Sequence, residues 1–154
     1  MRIVCDSSAI IALERINYLW LLESLAEEII IPYAVNKEIR SKKGINLPAC
    51  FRVEEARDKL YIRQNRKYLH IGEVEAIAIA KDIKADLIIL DDRKARKFAE
   101  KEGLKVAGLP VLLIMAKKKG IIEKVKPIID DLKRHNFFIG EDIYIEILKL
   151  SSEL

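Results

Sequence analysis

The stretch Leu87-Ile88-Ile89-Leu90-Asp91-Asp92 decides the fold. A strand with one face in water alternates apolar and polar residues, so four consecutive apolar residues predict a strand covered on both faces. Such a strand belongs to a parallel sheet with helices on either side. The residues around it agree. Upstream, residues 72–83 (Gly-Glu-Val-Glu-Ala-Ile-Ala-Ile-Ala-Lys-Asp-Ile) read as a helix with an Ala/Ile-rich body. Downstream, residues 93–102 read as a helix stopped by Gly103, a residue that readily takes the left-handed turn at a helix end.

The same alternation runs through the chain. Ile3-Val4-Cys5 predicts a buried strand that stops at Asp6-Ser7-Ser8, where Ser7 or Ser8 is expected to cap the next helix. Helices are expected over 9–15 and 18–25. Glu28-Ile29-Ile30-Ile31 is β-branched and reads as strand. Pro32 suits the turn into a helix over 33–42, because its missing N–H would be unpaired there anyway. Phe51-Arg52-Val53-Glu54 reads as a further strand, 61–69 as loop or short helix, and Lys105-Val106-Ala107 as the last strand. Helices over 111–119, 125–135 and 141–150 complete the chain. Strands separated by helices imply parallel pairing with right-handed crossovers. With no repeat and no linker, the expected architecture is α/β: residues 1–154 form a single three-layer α/β/α sandwich with a central, mostly parallel sheet.

Composition supports this. The 154 residues are 51% apolar and 34% charged, enough to bury a core without staples. Six Gly, four Pro and two Cys exclude collagen-like, low-complexity and disulfide-scaffold classes. Cys5 and Cys50 form no Cys-x-x-Cys pair, and His70 and His135 are the only histidines, so no sequence-adjacent zinc cluster can be drawn. Arg2 and Asp6 interrupt any signal-peptide pattern, and no apolar run approaches the about 20 residues of a membrane span. The expected location is cytoplasmic. A net charge of +4 permits nucleic-acid binding without arguing strongly for it.

Ligands of open parallel sheets bind beyond the carboxyl ends of the strands. Asp6 stands at one such end, and Asp91 and Asp92 at another. Asp is also an ordinary cap after a strand, but the two ends together point to one acidic crevice. In the helix over 72–83, Glu73 shares a face with Ala76, Ile77 and Ala80, which puts it at the start of a sheet-facing stripe. Helix-terminal placement also suits an acid there. Glu75 shares a face with Asp82 and is expected to point towards water. Glu38 borders the apolar positions Ala34 and Val35.

Two like charges about 4 Å apart repel by about 4 kcal/mol at an effective dielectric of about 20. A divalent cation relieves that repulsion, and oxygen ligands without His or Cys select Mg²⁺ or Mn²⁺. Such ions orient water and neutralise charge on a phosphodiester. Basic residues adjoin each acid: Arg40, Lys42 and Lys43 after Glu38; Arg63, Arg66 and Lys67 before Glu73; Arg93, Lys94, Arg96 and Lys97 after Asp92. Arg40, Lys43, Arg93 and Lys94 are the candidate contacts to a phosphate backbone. Lys117-Lys118-Lys119 adjoins no candidate acid and reads as a helix end.

These residues resemble the PIN-domain ribonucleases, and among them the VapC-like toxins, from Ile3-Val4-Cys5-Asp6-Ser7-Ser8 to the Gly140-Glu141 region. The family opens with an apolar strand ending in Asp followed by Thr or Ser, here Asp6-Ser7-Ser8. Its second acid falls on Glu38 in Val35-Asn36-Lys37-Glu38-Ile39. Its third opens an Ala-rich helix at Glu73, and its fourth ends the next strand at Asp91. The stretches Gly72-Glu73-Val74-Glu75-Ala76-Ile77 and Leu90-Asp91-Asp92-Arg93-Lys94 look like one VapC-like subgroup. Glu73 departs from the usual Asp, and Glu75 and Asp92 are neighbours able to take over those roles.

The resemblance implies a PIN-like fold and a metal-dependent endoribonuclease that hydrolyses RNA phosphodiester bonds. Asp6, Glu38, Glu73 and Asp91 would be the catalytic acids, and these four with Asp92 would hold Mg²⁺ or Mn²⁺. It also implies the toxin of a toxin–antitoxin pair, a small antitoxin partner and a homodimer. Ser8 would bond a ligand carboxylate or cap the first helix. The competing expectation is a non-catalytic RNA-binding or assembly module, since fold does not fix chemistry. A phosphatase reading fails because Ser8 stands where a second Asp would be needed, and no phosphate-binding Gly-rich loop is present. Cys5 lies within a strand and Cys50 has no His nearby in sequence, so both are expected to be passive thiols.

Overall fold

The structure is a computed structural model that describes the backbone over residues 1–154 and all side chains but those of residues 42 and 43. Five strands, β1 (Arg2–Cys5), β2 (Glu28–Pro32), β3 (Phe51–Glu54), β4 (Leu87–Ile89) and β5 (Val106–Ala107), form one sheet in the order β3-β2-β1-β4-β5. Every neighbouring pair is parallel. The helices are α1 (Ser7–Arg15), α2 (Trp20–Leu25), α3 (Tyr33–Glu38), α4 (Lys59–Asn65), α5 (Ile71–Ile83), α6 (Arg93–Lys101), α7 (Leu109–Lys118), α8 (Lys126–Arg134) and α9 (Glu141–Leu150). They cover both faces, giving the three-layer sandwich.

The period-2 alternation of the strands splits the core. Ile3, Cys5, Ile29, Ile31 and Ile89 face one layer, packed with α1, α2, α7, α8 and α9. Val4, Ile30 and Ile88 face the other, packed with α4, α5 and α6. Ile3, Ile29, Ile31 and Ile89 are fully buried, and each such side chain stabilises the fold by about 1.5–3 kcal/mol relative to exposure.

From β1 the chain builds outward through β2 to β3, then crosses back to place β4 on the other side of β1. The β1/β4 boundary is therefore the switch point at which open α/β sheets form a crevice. Asp6 follows β1, and its N–H continues the ladder by donating to Ile89 O at 3.2 Å. Asp91 lies two residues past β4.

Several local expectations differ from what is observed. Asp6, not a serine, caps α1: its Oδ1 accepts from the Ser7 N–H at 2.7 Å. Asp6 has the extended backbone of a cap position, while Ser7 is already inside the helix, so the carboxylate is the side chain placed to accept from the first free N–H. Of the loop and short helix expected over 61–69, the short helix is observed, two residues earlier as α4, where Asp58 caps it by accepting from the Tyr61 N–H at 3.0 Å. The helix begun by α3 continues as a wider π turn, Ile39–Lys43, stopped by Gly44 at φ 62°. Lys117 is more than a helix end: it donates to Ser151 O and to Glu153 Oε2, the latter at 3.0 Å. Glu153 in turn accepts from the Val125 and Lys126 N–H groups at the start of α8.

Candidate active site

Asp6 is 7% exposed and Glu73 5% exposed, the two buried acidic residues among the described residues. Asp6, Glu38 and Glu73 line one cleft with Ser8, His70 and Gly72. A second cleft, sharing Ser8, holds Asp91 and Asp92 beside Arg15 and Phe138. A third holds Glu73 and Asp92 with Arg66, Lys67, Tyr68 and Lys94. Ser8, Glu73 and Asp92 are each common to two clefts, so the three form one trough along the carboxyl ends of β1 and β4.

The chain reaches this geometry by close packing. Gly72 lets the start of α5 approach β1 and α3: a Cβ there would stand 3.2 Å from Val35 Cγ2 and 3.5 Å from Asp6 Oδ1. The next residue, Glu73, accepts from the His70 N–H at 3.0 Å, closing the first turn of α5 as a capping box does. Asp92 Oδ2 caps α6 by accepting from the Ala95 N–H at 2.9 Å. Thus Asp6, Glu73 and Asp92 each have one oxygen tied to a helix N-terminus.

Electrostatics single out Asp6 as the hub. Its carboxyl is pushed up to about 6, first by burial and then by the charges of Glu73, Glu38 and Asp91, against the Ser7 N–H that lowers it. Glu73 is raised by burial and by Asp92, while the His70 N–H, the His70 ring and Lys94 act in the opposite sense. Asp91 is raised by burial and Asp92, with Arg96 and the Leu109 N–H pulling down. Burial, then Asp6 and Asp91, pushes the Cys5 thiol up, which keeps it protonated and inert.

Glu75 does not point to water. Its carboxylate accepts from the Ala34 N–H at 3.1 Å and ties α5 to the start of α3. Arg40 bonds Asn36 Oδ1 at 2.8 Å on its own helix, and Arg93 is exposed at the start of α6. Lys94 lines the third cleft beside Glu73. Lys43 lies outside the described residues. Arg96 turns back onto the strand end and donates to the carbonyls of Leu90 and Asp91. Sequence reasoning passed over His70, Tyr68 and Phe138 as site residues. For His70 the available signal was its position immediately before a helix whose third residue is an acid.

Among the described residues no lysine or arginine forms an ion pair with Asp6, Glu38, Glu73, Asp91 or Asp92. Nor do any three His, Cys, Asp or Glu side chains among them form a ready-made coordination shell. The donor chemistry nevertheless fits a hard divalent cation. The buried carboxylates raise one another's affinity for positive charge, and their oxygens suit Mg²⁺ or Mn²⁺. No helix among the described residues is long and apolar enough to cross a membrane.

No curated protein matches the sequence. A family model described as a PIN domain matches residues 2–153, the span that contains all five strands and every acid of the trough. PIN domains are typically nucleases and generally use divalent metal ions. With acids at the ends of β1 and β4 and at the start of α5, on an all-parallel sheet of this order, the chain belongs to the PIN-domain family.

Proposed function

We propose that this PIN domain is a metal-dependent endoribonuclease that hydrolyses RNA phosphodiester bonds. The observation that carries the reading is Asp6: a buried carboxylate with no cationic partner among the described residues, pushed up by Glu73, Glu38 and Asp91. Buried acids that repel one another are costly to the fold. Their placement at the switch point makes sense as a binding site for positive charge.

Asp6, Glu38, Glu73 and Asp91 would hold one or two Mg²⁺ or Mn²⁺ ions, with Asp92 beside them. When bound, the ion supplies charge neutralisation at the phosphodiester and lowers the pKa of water. The chain's own residues do the rest. The helix N–H groups that tie one oxygen each of Asp6 and Glu73 fix the directions of their carboxylates. Lys94, with Arg66 and Lys67, offers positive charge to the RNA backbone next to Glu73. Arg93 and, beyond the acidic cleft, Arg40 extend that basic surround.

The VapC-like reading, a toxin silenced by a small antitoxin and acting as a homodimer in the cytoplasm, rests on the sequence resemblance around residues 72–77 and 90–94. The competing reading, a non-catalytic RNA-binding module, is favoured by the lack of a ready-made coordination shell among the described residues. One experiment separates them. Purified protein is incubated with single-stranded RNA in Mn²⁺, Mg²⁺ or chelator, alongside Asp6→Asn. Cleavage that requires the ion and falls at least about 1,000-fold in Asp6→Asn is the expected result. RNA binding that survives chelator, with no cleavage under any condition, overturns the enzyme in favour of the binding module.

A further inference from the structure

We propose that Phe138, with Arg15 and Asn136, forms a subsite that stacks and holds one unpaired nucleobase of the RNA next to the scissile phosphate. The proposal rests on the nuclease reading above and deepens it.

Phe138 is 90% exposed, the most exposed large apolar side chain of the protein. It is not a loose residue. Helix α8 ends in a Schellman turn: Asn136 takes a left-handed φ of 69°, its N–H donates to Lys133 O at 3.3 Å, and the Phe137 N–H donates to Leu132 O at 3.0 Å. Phe137 packs against the core and Ile139 is buried, so the chain is pinned on both sides of Phe138. Arg15 of α1 donates to His135 O at 3.5 Å and ties the turn to the helix that follows β1. The backbone that carries Phe138 is thus held at a fixed place, with the ring in water.

That place is the rim of the acid trough. Phe138, Arg15 and Asn136 share a cleft of about 530 Å³ with Ser8, Asp91 and Asp92. This volume is within the about 300–1,000 Å³ of small-ligand sites. Besides Ile11, Ala12 and Phe137, this lining presents two carboxylates, an arginine, an amide and a hydroxyl, polar groups that a purely apolar peptide would cover and leave unpaired. An unpaired nucleotide matches each part: a base to lie on the ring, edge atoms for the Asn136 amide, and a phosphate for Arg15. Aromatic platforms beside a charged channel are how single strands are held.

The test compares wild type, Phe138→Ala and Phe138→Trp on a short single-stranded oligoribonucleotide in Mn²⁺, unmodified or carrying one abasic residue at each position flanking the cut. Phe138→Ala is expected to raise KM about 5- to 100-fold with a smaller change in kcat, and Phe138→Trp to retain the wild-type KM. One abasic position should cost wild type a similar factor and cost Phe138→Ala nothing. A wild-type KM in Phe138→Ala, or equal abasic penalties in both proteins, overturns the subsite while leaving the nuclease reading intact. Binding is read separately in chelator, as quenching of Phe138→Trp fluorescence by the oligoribonucleotide against the Trp20 background of wild type. Quenching without any cleavage by wild type supports the subsite and removes the nuclease reading. A dimer seen by sedimentation that Phe138→Ala dissolves, with no quenching by RNA, overturns the subsite in favour of an interface between copies.

Discussion

Asp6 commits one carboxylate oxygen to the first turn of α1 and stands in the charge field of three other acids. The two roles conflict, because a buried carboxylate is most at ease protonated. The sign of its effect on stability follows. Its ordinary value is 3.8, and burial with the neighbouring acids pushes it up to about 6 in the folded protein. Between these values the folded state binds the extra proton, so stability falls as pH rises through that window. Asn keeps an oxygen for the Ser7 N–H and carries no charge. In chelator, urea denaturation should therefore find Asp6→Asn more stable than wild type above pH 6, by up to about 3 kcal/mol. Below about pH 4 the two curves should coincide. A destabilised Asp6→Asn at pH 7.5 in chelator would mean that the carboxylate has a cationic partner after all.

At the scale of elements, the site is a meeting of helix starts. α1, α5 and α6 each begin at a strand end or beside one, and each has an acid in its first turn or at its cap. Close approach of α5 depends on Gly72, whose missing Cβ leaves room for fully buried Val35 and for Asp6 Oδ1. Gly72→Ala pits two effects against each other. Alanine gains about 1 kcal/mol in helix propensity, and crowding of Val35 costs a similar amount. The net change in stability should stay within about 1 kcal/mol. Activity should not be spared, because a displacement of α5 carries Glu73 away from Asp6, and a shift of about 1 Å can cost about 100-fold. A drop of at least 10-fold in kcat/KM with little change in Tm is expected. Gly72→Ala with wild-type kcat/KM would show that the approach of α5 does not set the spacing of the acids.

Across the whole molecule, the order of strands and helices was legible because it is written locally. Leu87-Ile88-Ile89-Leu90 and Glu28-Ile29-Ile30-Ile31 each announce a covered strand without reference to any other residue. The acids at strand ends were legible for the same reason. The rest depends on which distant parts meet. Nothing near Glu75 in sequence says that Ala34 offers it an N–H, and nothing around Phe138 says that Asp91 and Arg15 stand beside it. Alternation of half-buried Phe137 and buried Ile139 about it was the one local hint. The trough is likewise a property of the assembled sheet, and so is its response to metal. An ion that binds the folded state alone stabilises it by about 2.7 kcal/mol at 100 times its Kd. For a chain of 154 residues that corresponds to a rise in Tm of about 5–11 °C. Mn²⁺ added at pH 7.5 should produce a saturable rise of that order in wild type. The rise should be smaller at pH 5, where protons compete for Asp6, and absent in Asp6→Asn. An equal rise in both proteins would place the ion elsewhere on the surface, and no rise in either would leave the acids without the cation that their burial calls for.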